Sequence, residues 1–293
     1  MATRSGAGRV AATFPESADL PPLGCRPWFL AMISIVIPAF QSRDLIGRAL
    51  EGVRNQTLTD WEVVVAEDGL GDGTEAMVHE FAATVTQPVR HLGLAAKLGT
   101  SAARNAALDR CRGDLVAFLD ADDEWAPSHL ATLAECLAGG HALAVSAVEI
   151  WDAAHARRIA VHGIDPAWLA APRDALFVAS IIHTASCVAM PRATVDRVGR
   201  FDTAMAIGQD RDYWFRAVEA GGSLGYSGVC TARYVQHAAN STRDQRSILA
   251  SSVRFHDKHR RASGVSDEAR RRALARVLAV RATLAISEAS PGE

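Results

Sequence analysis

Leu115-Val116-Ala117-Phe118-Leu119-Asp120-Ala121-Asp122-Asp123 is the stretch on which the fold turns. Five apolar residues run straight into three carboxylates. That pattern reads as a strand buried on both faces that breaks, at its carboxyl end, into an acidic loop. Gly113 stands before it and closes a helix expected over residues 99–112. Pro127 follows and opens another, expected to reach about Leu137.

The pattern repeats upstream. Ile33-Ser34-Ile35-Val36-Ile37 is a second buried run, ended by Pro38, and Trp61-Glu62-Val63-Val64-Val65-Ala66 is a third. The third run stops at Glu67-Asp68-Gly69-Leu70-Gly71-Asp72-Gly73, a turn-rich loop that is also acidic. Between them Leu45, Ile46, Ala49, Leu50 and Val53 share one helical face, with Ser42 as the expected cap. A helix over Thr74–Phe81 and a brief strand near Val89–Leu92 complete the alternation. Strands alternating with helices predict an α/β domain: a Rossmann-like, mostly parallel sheet flanked by helices. Such sheets bind ligands beyond the carboxyl ends of their strands, where both acidic loops lie.

The second half is more mixed. Strands are expected over 142–151, 181–190 and 231–237, and helices over 191–198 and 210–220, the latter closed by Gly221-Gly222. From Gln245 to about Ser287 the chain reads as helical with an Arg-rich face.

Composition sets outer bounds. With 49% hydrophobic and 22% charged residues in 293, a packed core is expected. A net charge of -2 lacks the basic excess of a nucleic-acid binder. The five cysteines are scattered and lack a CxxC pair, which argues against a zinc site or a disulfide framework and for a reducing, cytoplasmic setting. Met1–Ala31, rich in Ala, Gly, Pro and Ser, reads as a disordered leader, with Met32 an alternative start. The apolar stretch Trp28–Phe40 is too short to span a bilayer. The expected protein is soluble, or at most peripheral at the inner face of a membrane through the Arg-rich helices.

The acidic loops carry the candidate chemistry. Asp120 and Asp122, two apart where a strand breaks, can converge on one ion, and their oxygens suit Mg²⁺ or Mn²⁺ bridged to substrate phosphates. Read alone, the same pair is an acidic turn capping the next helix. Glu67 and Asp68 could accept hydrogen bonds from a nucleobase or ribose, or be solvated turn acids. Arg104 could pair with phosphate oxygens, as could Lys97 with less support. Asp210 starts a helix, as a cap or as a general base kept ionised by the helix amino end. His237, and more weakly His183, could join a metal shell. Tyr213, Trp214 and Val218 read as a core face rather than a sugar platform.

Taken together, Ile33–Phe40, Glu67-Asp68-Gly69, Ser101–Asn105 and Phe118–Trp125, in that order and spacing, resemble the family 2 glycosyltransferases, and Val198–Asp202 and Gln209–Arg216 look like that family's acceptor-side motif. The resemblance covers residues 32–240. It implies a GT-A fold, with a nucleotide-binding half at 32–125, an acceptor half at 126–240 and a helical C-terminal appendage at 241–293. It implies inverting transfer of a sugar from a nucleotide-diphosphate donor to a saccharide or other hydroxyl. By position, Pro38, Ala39 and Phe40 would border the nucleobase, Asp68 with Glu67 would contact base or ribose, and Arg104 would lie near the phosphates. Asp120 with Ala121 would touch the sugar nucleotide, Asp122 would bind a divalent metal (Mn or Mg) with His237 as helper, and Asp210 would be the catalytic base. Glu67 stands where the family often has Asp, Leu70 where it often has Ser, and Gln209 where it often has Glu. Two rivals remain: a nucleotidyltransferase of similar fold, which would release pyrophosphate, and an inactive nucleotide-sugar-binding scaffold.

Overall fold

The computed structural model describes residues 31–69, 71–237 and 245–289. Apart from Ala31, the expected leader lies outside the described residues. Four strands build the first half: β1 (Ile33–Ala39), β2 (Trp61–Asp68), β3 (Val89–Leu94) and β4 (Leu115–Phe118). β1 pairs in parallel with β2 and β4, and β2 with β3, in the order β3-β2-β1-β4. Ile33 sits opposite both Trp61 and Leu115, so the three central strands start level. Because they run the same way, their following loops emerge along one edge of the sheet. That single consequence of parallel pairing brings Phe40, Asp68 and Asp120 together.

Helices α1 (Ile46–Arg54), α2 (Thr74–Ala82) and α3 (Thr100–Leu108) fill the crossovers. α3 lies on β1 and β2, and its fully buried Ala103 and Ala107 let it approach the sheet closely. Gly113 is needed for a similar reason: a Cβ there would stand 2.6 Å from the Met32 carbonyl oxygen and the Ser34 nitrogen.

The second half extends the sheet with β5 (Glu124–Trp125), β6 (Leu143–Asp152), β7 (Arg157–His162), β8 (Val188–Pro191) and β9 (Leu224–Gln236). β8 pairs antiparallel with β4 and β6, β9 lies parallel to β6, and β5 and β7 add antiparallel edges. Helices α4 (His129–Leu137), α5 (Pro166–Leu169), α6 (Pro172–Val178), α7 (Arg192–Val198) and α8 (Gln209–Glu219) cover it. The expected core face of α8 is buried: Trp214 meets Phe118 at 5.2 Å between ring centroids, and Tyr213 stacks on Phe201 at 3.9 Å.

Several expected elements shift, each for a local reason. The strand expected over 181–190 begins only at Val188, because Thr184 turns its hydroxyl onto the Ser186 N–H and tightens residues 185–187 into a 3-10 turn. β7 went unread because it is an edge strand with an exposed, non-alternating face. β9 starts at Leu224, ahead of the expected Thr231, and carries an irregularity around Gly228, whose φ is +71°. Ser42 caps α1 through its carbonyl rather than its hydroxyl, which turns back to Phe40.

The C-terminal helical stretch is two helices, α9 (Gln245–Lys258) and α10 (Asp267–Ala289), parted at Gly264, where φ is +71°. Both are bound into the second half. Asp212 of α8 receives His259 Nε2 and Lys258 Nζ at 2.8 Å each, Ser266 donates to Asp174 at 2.6 Å, and Phe255 packs between Phe177 and Phe215. No helix among the described residues is long and apolar enough to cross a membrane.

Candidate active site

A cavity of about 810 Å³ opens at the carboxyl edge of the sheet, within the range of sites for molecules of drug size or larger. Of the residues singled out from sequence, Pro38, Ala39, Phe40, Asp68, Arg104, Asp120, Ala121, Asp122, Asp210 and His237 all line it, as does His183. Glu67 does not. It is buried beside β3, with His91 Nε2 2.8 Å from its carboxylate, and burial raises its pKa first of all. β2 alternates, so adjacent Glu67 and Asp68 leave on opposite sides.

Asp68 accepts from the Leu98 and Gly99 N–H groups at 2.6 and 2.7 Å, fixing the turn that starts α3. Lys97, just before it, holds its ammonium 3.8 Å from the centre of the Phe40 ring. Arg104, only 3% exposed, reaches Asp120 with Nη2 at 2.6 Å. Its Nε and Nη1 are buried without a hydrogen-bond partner. A buried guanidinium with spare donors is costly unless an anion meets it, and a diphosphate supplies the required oxygens.

Asp122 and His237 converge, with Oδ2 and Nε2 2.8 Å apart. Burial and then the charge of Asp120 raise the Asp122 pKa, while His237 lowers it. The Asp122 carboxylate is a hard oxygen ligand of the kind that suits Mn²⁺ or Mg²⁺, and His237 could add one nitrogen. Among the described residues no group of three His, Cys, Asp or Glu side chains could hold a metal, so phosphates and water would have to complete its shell.

Asp210 sits in the first turn of α8 after Gly208, whose φ is +73°. Its Oδ1 accepts the Arg211 N–H at 2.7 Å. Burial raises its pKa against the pull of the Arg104 charge. His183 is uncharged at neutral pH: burial, then the neighbouring His162, pushes it down to about 4.

Sequence reasoning missed the scaffold beneath these groups. Fully buried Asp123 accepts from Thr184 Oγ1 at 2.9 Å, Ser186 Oγ at 2.5 Å and the Val235 N–H at 3.1 Å, and Ser186 Oγ accepts from the Asp120 N–H at 3.0 Å. Burial, then the charges of Asp122 and Asp120, pushes the Asp123 pKa well above the usual range. This network ties the acidic loop to β9, which His237 directly follows. Sequence reasoning also missed the wall formed by α9 and α10, where Ile248, Leu249, Arg276, Val277 and Val280 face the cavity. The local sequence does not separate Asp123 from its two acidic neighbours, and helical periodicity does not say what a helix packs against.

Comparison with known proteins bears on the family and the fold. The E. coli UDP-Glc:alpha-D-GlcNAc-diphosphoundecaprenol beta-1,3-glucosyltransferase WfgD is 32% identical over 99 residues, 34% of this chain and 38% of that one. The chain spans just over a third of the length of the curated relatives it matches. Two solved structures share the fold. S. aureus TarS 1-349 in complex with UDP-GlcNAc has a TM-score of 0.64 at 15% identity, covering 83% of this chain and 70% of that one. The mannosyltransferase PcManGT of Pyrobaculum calidifontis, in complex with GDP-Man and Mn2+, has 0.62 at 19%, covering 90% and 76%. Residues 34–186, more than half of the 293, match the Glycosyl transferase family 2 model, and the chain belongs to that family.

Proposed function

We propose that the chain transfers a sugar from a nucleoside-diphosphate sugar to an acceptor hydroxyl, with inversion at the anomeric carbon. One observation carries the reading. Asp122 and Asp210, on opposite halves of the fold, face one cavity that also holds the buried and only partly satisfied Arg104.

In this reading the nucleobase lies against Phe40, and Arg104 receives the diphosphate. Asp122 and His237 would hold a Mn²⁺ or Mg²⁺ ion, which would supply stabilisation of the charge on the diphosphate. The acceptor oxygen bonds to the anomeric carbon as the bond to the diphosphate oxygen breaks, and its proton passes to the Asp210 carboxylate. Because no second carboxylate is assigned as nucleophile, a single displacement follows, and inversion with it. Residues 32–125 with His237 bind the donor, and the other later residues the acceptor, in glycan assembly at the cytoplasmic face of a membrane. Glu67 is reassigned to positioning: it buttresses the β2 end through His91 and does not touch the donor.

The test is product analysis with a panel of nucleotide sugars and Mn²⁺. Nucleoside diphosphate release with an inverted anomer supports transfer. Pyrophosphate release would establish the nucleotidyltransferase instead, and Mn²⁺-dependent binding without turnover would establish a scaffold.

A further inference from the structure

α8 starts without a side-chain cap. Gly208 stands at the cap position with φ +73° and has no side chain to close the turn from which Asp210 projects. Asp210 spends Oδ1 on the Arg211 N–H, one residue on, and that bond moves with the turn. A group that must meet a reacting hydroxyl has to be held to within about 0.5 Å, so the turn needs support from another element.

That support comes from α9. Ser251 donates a hydrogen bond to the Ile207 carbonyl, and its hydroxyl lies so near Gly208 that a Cβ there would stand 2.7 Å away. The glycine leaves room for the serine. One turn further along α9, the Phe255 ring centre lies 4.0 Å from the Arg211 guanidinium carbon, and one turn beyond that Lys258 and His259 hold Asp212. Ser251, Phe255, Lys258 and His259 recur at helical spacing, so a single face of α9 grips the chain on both sides of Asp210. Of these four, Ser251 is the one that meets the chain ahead of Asp210. α9 is braced in turn by α10. Arg270 donates to the Arg260 and Ala262 carbonyls at 2.7 and 2.8 Å, and the α10 stripe of Ala269, Ala273, Val277 and Val280 is divided between the core and the cavity wall.

We propose that Ser251 is a positioning residue for sugar transfer: it holds the Ile207–Gly208 turn, and so fixes where Asp210 stands toward the acceptor hydroxyl. This rests on the transferase reading and adds a residue to it. Ser251 lies outside residues 34–186, the stretch that matches the family, so α9 completes the active site from beyond that stretch. Because Ser251 also lines the cavity, the test separates positioning from direct contact with substrate.

The experiment is Ser251→Ala in the full chain. Phe255, Lys258 and His259 still hold α8, so the variant should fold, with Tm lowered by only about 2–4 °C. Hydrogen exchange should quicken about tenfold at the Arg211 and Asp212 amides and stay unchanged at Val64 of β2. With a nucleotide sugar that the parent turns over, kcat should fall about tenfold, because a small displacement of a reacting group suffices, while both KM values stay within about twofold. In an Asp210→Asn background the same change should lower kcat no further, since the serine acts through the carboxylate. Gly208→Ala, whose new Cβ presses on the hydroxyl, should lose less activity when residue 251 is already alanine. A raised KM with kcat intact would make Ser251 a substrate contact and overturn the positioning role. An equal loss in the Asp210→Asn background would make it a general support of the fold and overturn it too. Unchanged exchange at Arg211 and Asp212 overturns it whether or not sugar is transferred. The transferase reading fails on a different result, no nucleoside diphosphate release from any donor; quickened exchange would then leave Ser251 holding a turn that presents no base.

Discussion

The two halves of the cavity are built on different principles. On one side, Phe40, Asp68 and Asp120 follow three parallel strands whose common direction delivers them to one edge. On the other, Asp210 comes from a helix start, His237 from the end of a strand that pairs both ways, and Arg276 from a helix near the end of the chain. The parallel side is positioned by backbone hydrogen bonds. The other side is positioned by side chains: Thr184 and Ser186 to Asp123 of the acidic loop, and Asp212 to Lys258 and His259. Substitutions on the first side should therefore change binding with little loss of stability, and those on the second should separate into chemical and structural effects.

The largest effect is expected at Asp210. A general base contributes roughly 10²- to 10⁴-fold, so Asp210→Asn should lower kcat by that order while donor affinity, by calorimetry, stays within about twofold. The pH profile gives a second reading. The base works ionised, and burial raises its pKa, so the rate should rise through a pH above the ordinary aspartate value of about 3.9. The variant should lose that limb. A variant with the same acid limb as the parent would remove Asp210 from the role.

Next comes Asp122. Asp122→Asn removes one of the two proposed protein ligands and should lower turnover about 10²-fold. It should also abolish the Mn²⁺-dependent part of the thermal shift given by a nucleoside diphosphate. The metal-independent part, carried by Arg104, should survive. If metal dependence persisted unchanged, the donor half would not depend on the carboxylate that joins it to His237.

Asp212 tests the side-chain framework. It is wholly buried, and although burial opposes ionisation, hydrogen bonds from His259 and Lys258 and the charge of Arg216 hold its pKa well below the usual range. A depressed carboxylate pKa stabilises the fold above the unfolded value of about 3.9, and that contribution is lost as pH falls below it. Asp212→Asn should cost about 3 kcal/mol at neutral pH, or roughly 5–10 °C in Tm. It should also flatten the loss of Tm below about pH 4. His259 would lose its anchor and Lys258 one of its two, so α9 and the cavity wall it lines should loosen before the parallel half does. Hydrogen exchange on Phe255 against Val64 reads that order.

How much of this was legible follows the same division. Runs such as Ile33–Ile37 and Leu115–Leu119 declare buried parallel strands, and parallel strands put their loops at one edge, so Asp68, Asp120 and Asp122 could be placed together from sequence. Glu67 could not be separated from Asp68, because which of two adjacent residues faces the cavity depends on strand register. β7 carried no alternation to read, and β8 was expected but begins late, because the Thr184 hydroxyl competes for the backbone at Ser186. The stripe at Ala269, Ala273, Val277 and Val280 was visible as a helix but not as a cavity wall. What a helix packs against is fixed by distant partners such as Asp212 and Asp174, on which local sequence is silent.

The smallest expected effect lies at the nucleobase end, where the sign is more informative than the size. Lys97 covers the Phe40 ring at 3.8 Å, a contact worth about 0.5–1 kcal/mol at an exposed site. A base stacked on the same ring gains about 1–3 kcal/mol but must first displace the lysine. The net gain is then about 1 kcal/mol, and Phe40→Ala should weaken nucleotide binding about fivefold. Lys97→Ala removes the competitor and should tighten it, about twofold to fivefold. The Asp68 bonds to Leu98 and Gly99 use backbone N–H groups, so the turn should survive the change. Weaker binding in Lys97→Ala, steepest at low salt, would mean that the ammonium leaves the ring to meet phosphate. The first half of the cavity would then also have a moving side chain at its centre, and the contrast between a backbone-built and a side-chain-built wall would hold for the strands alone.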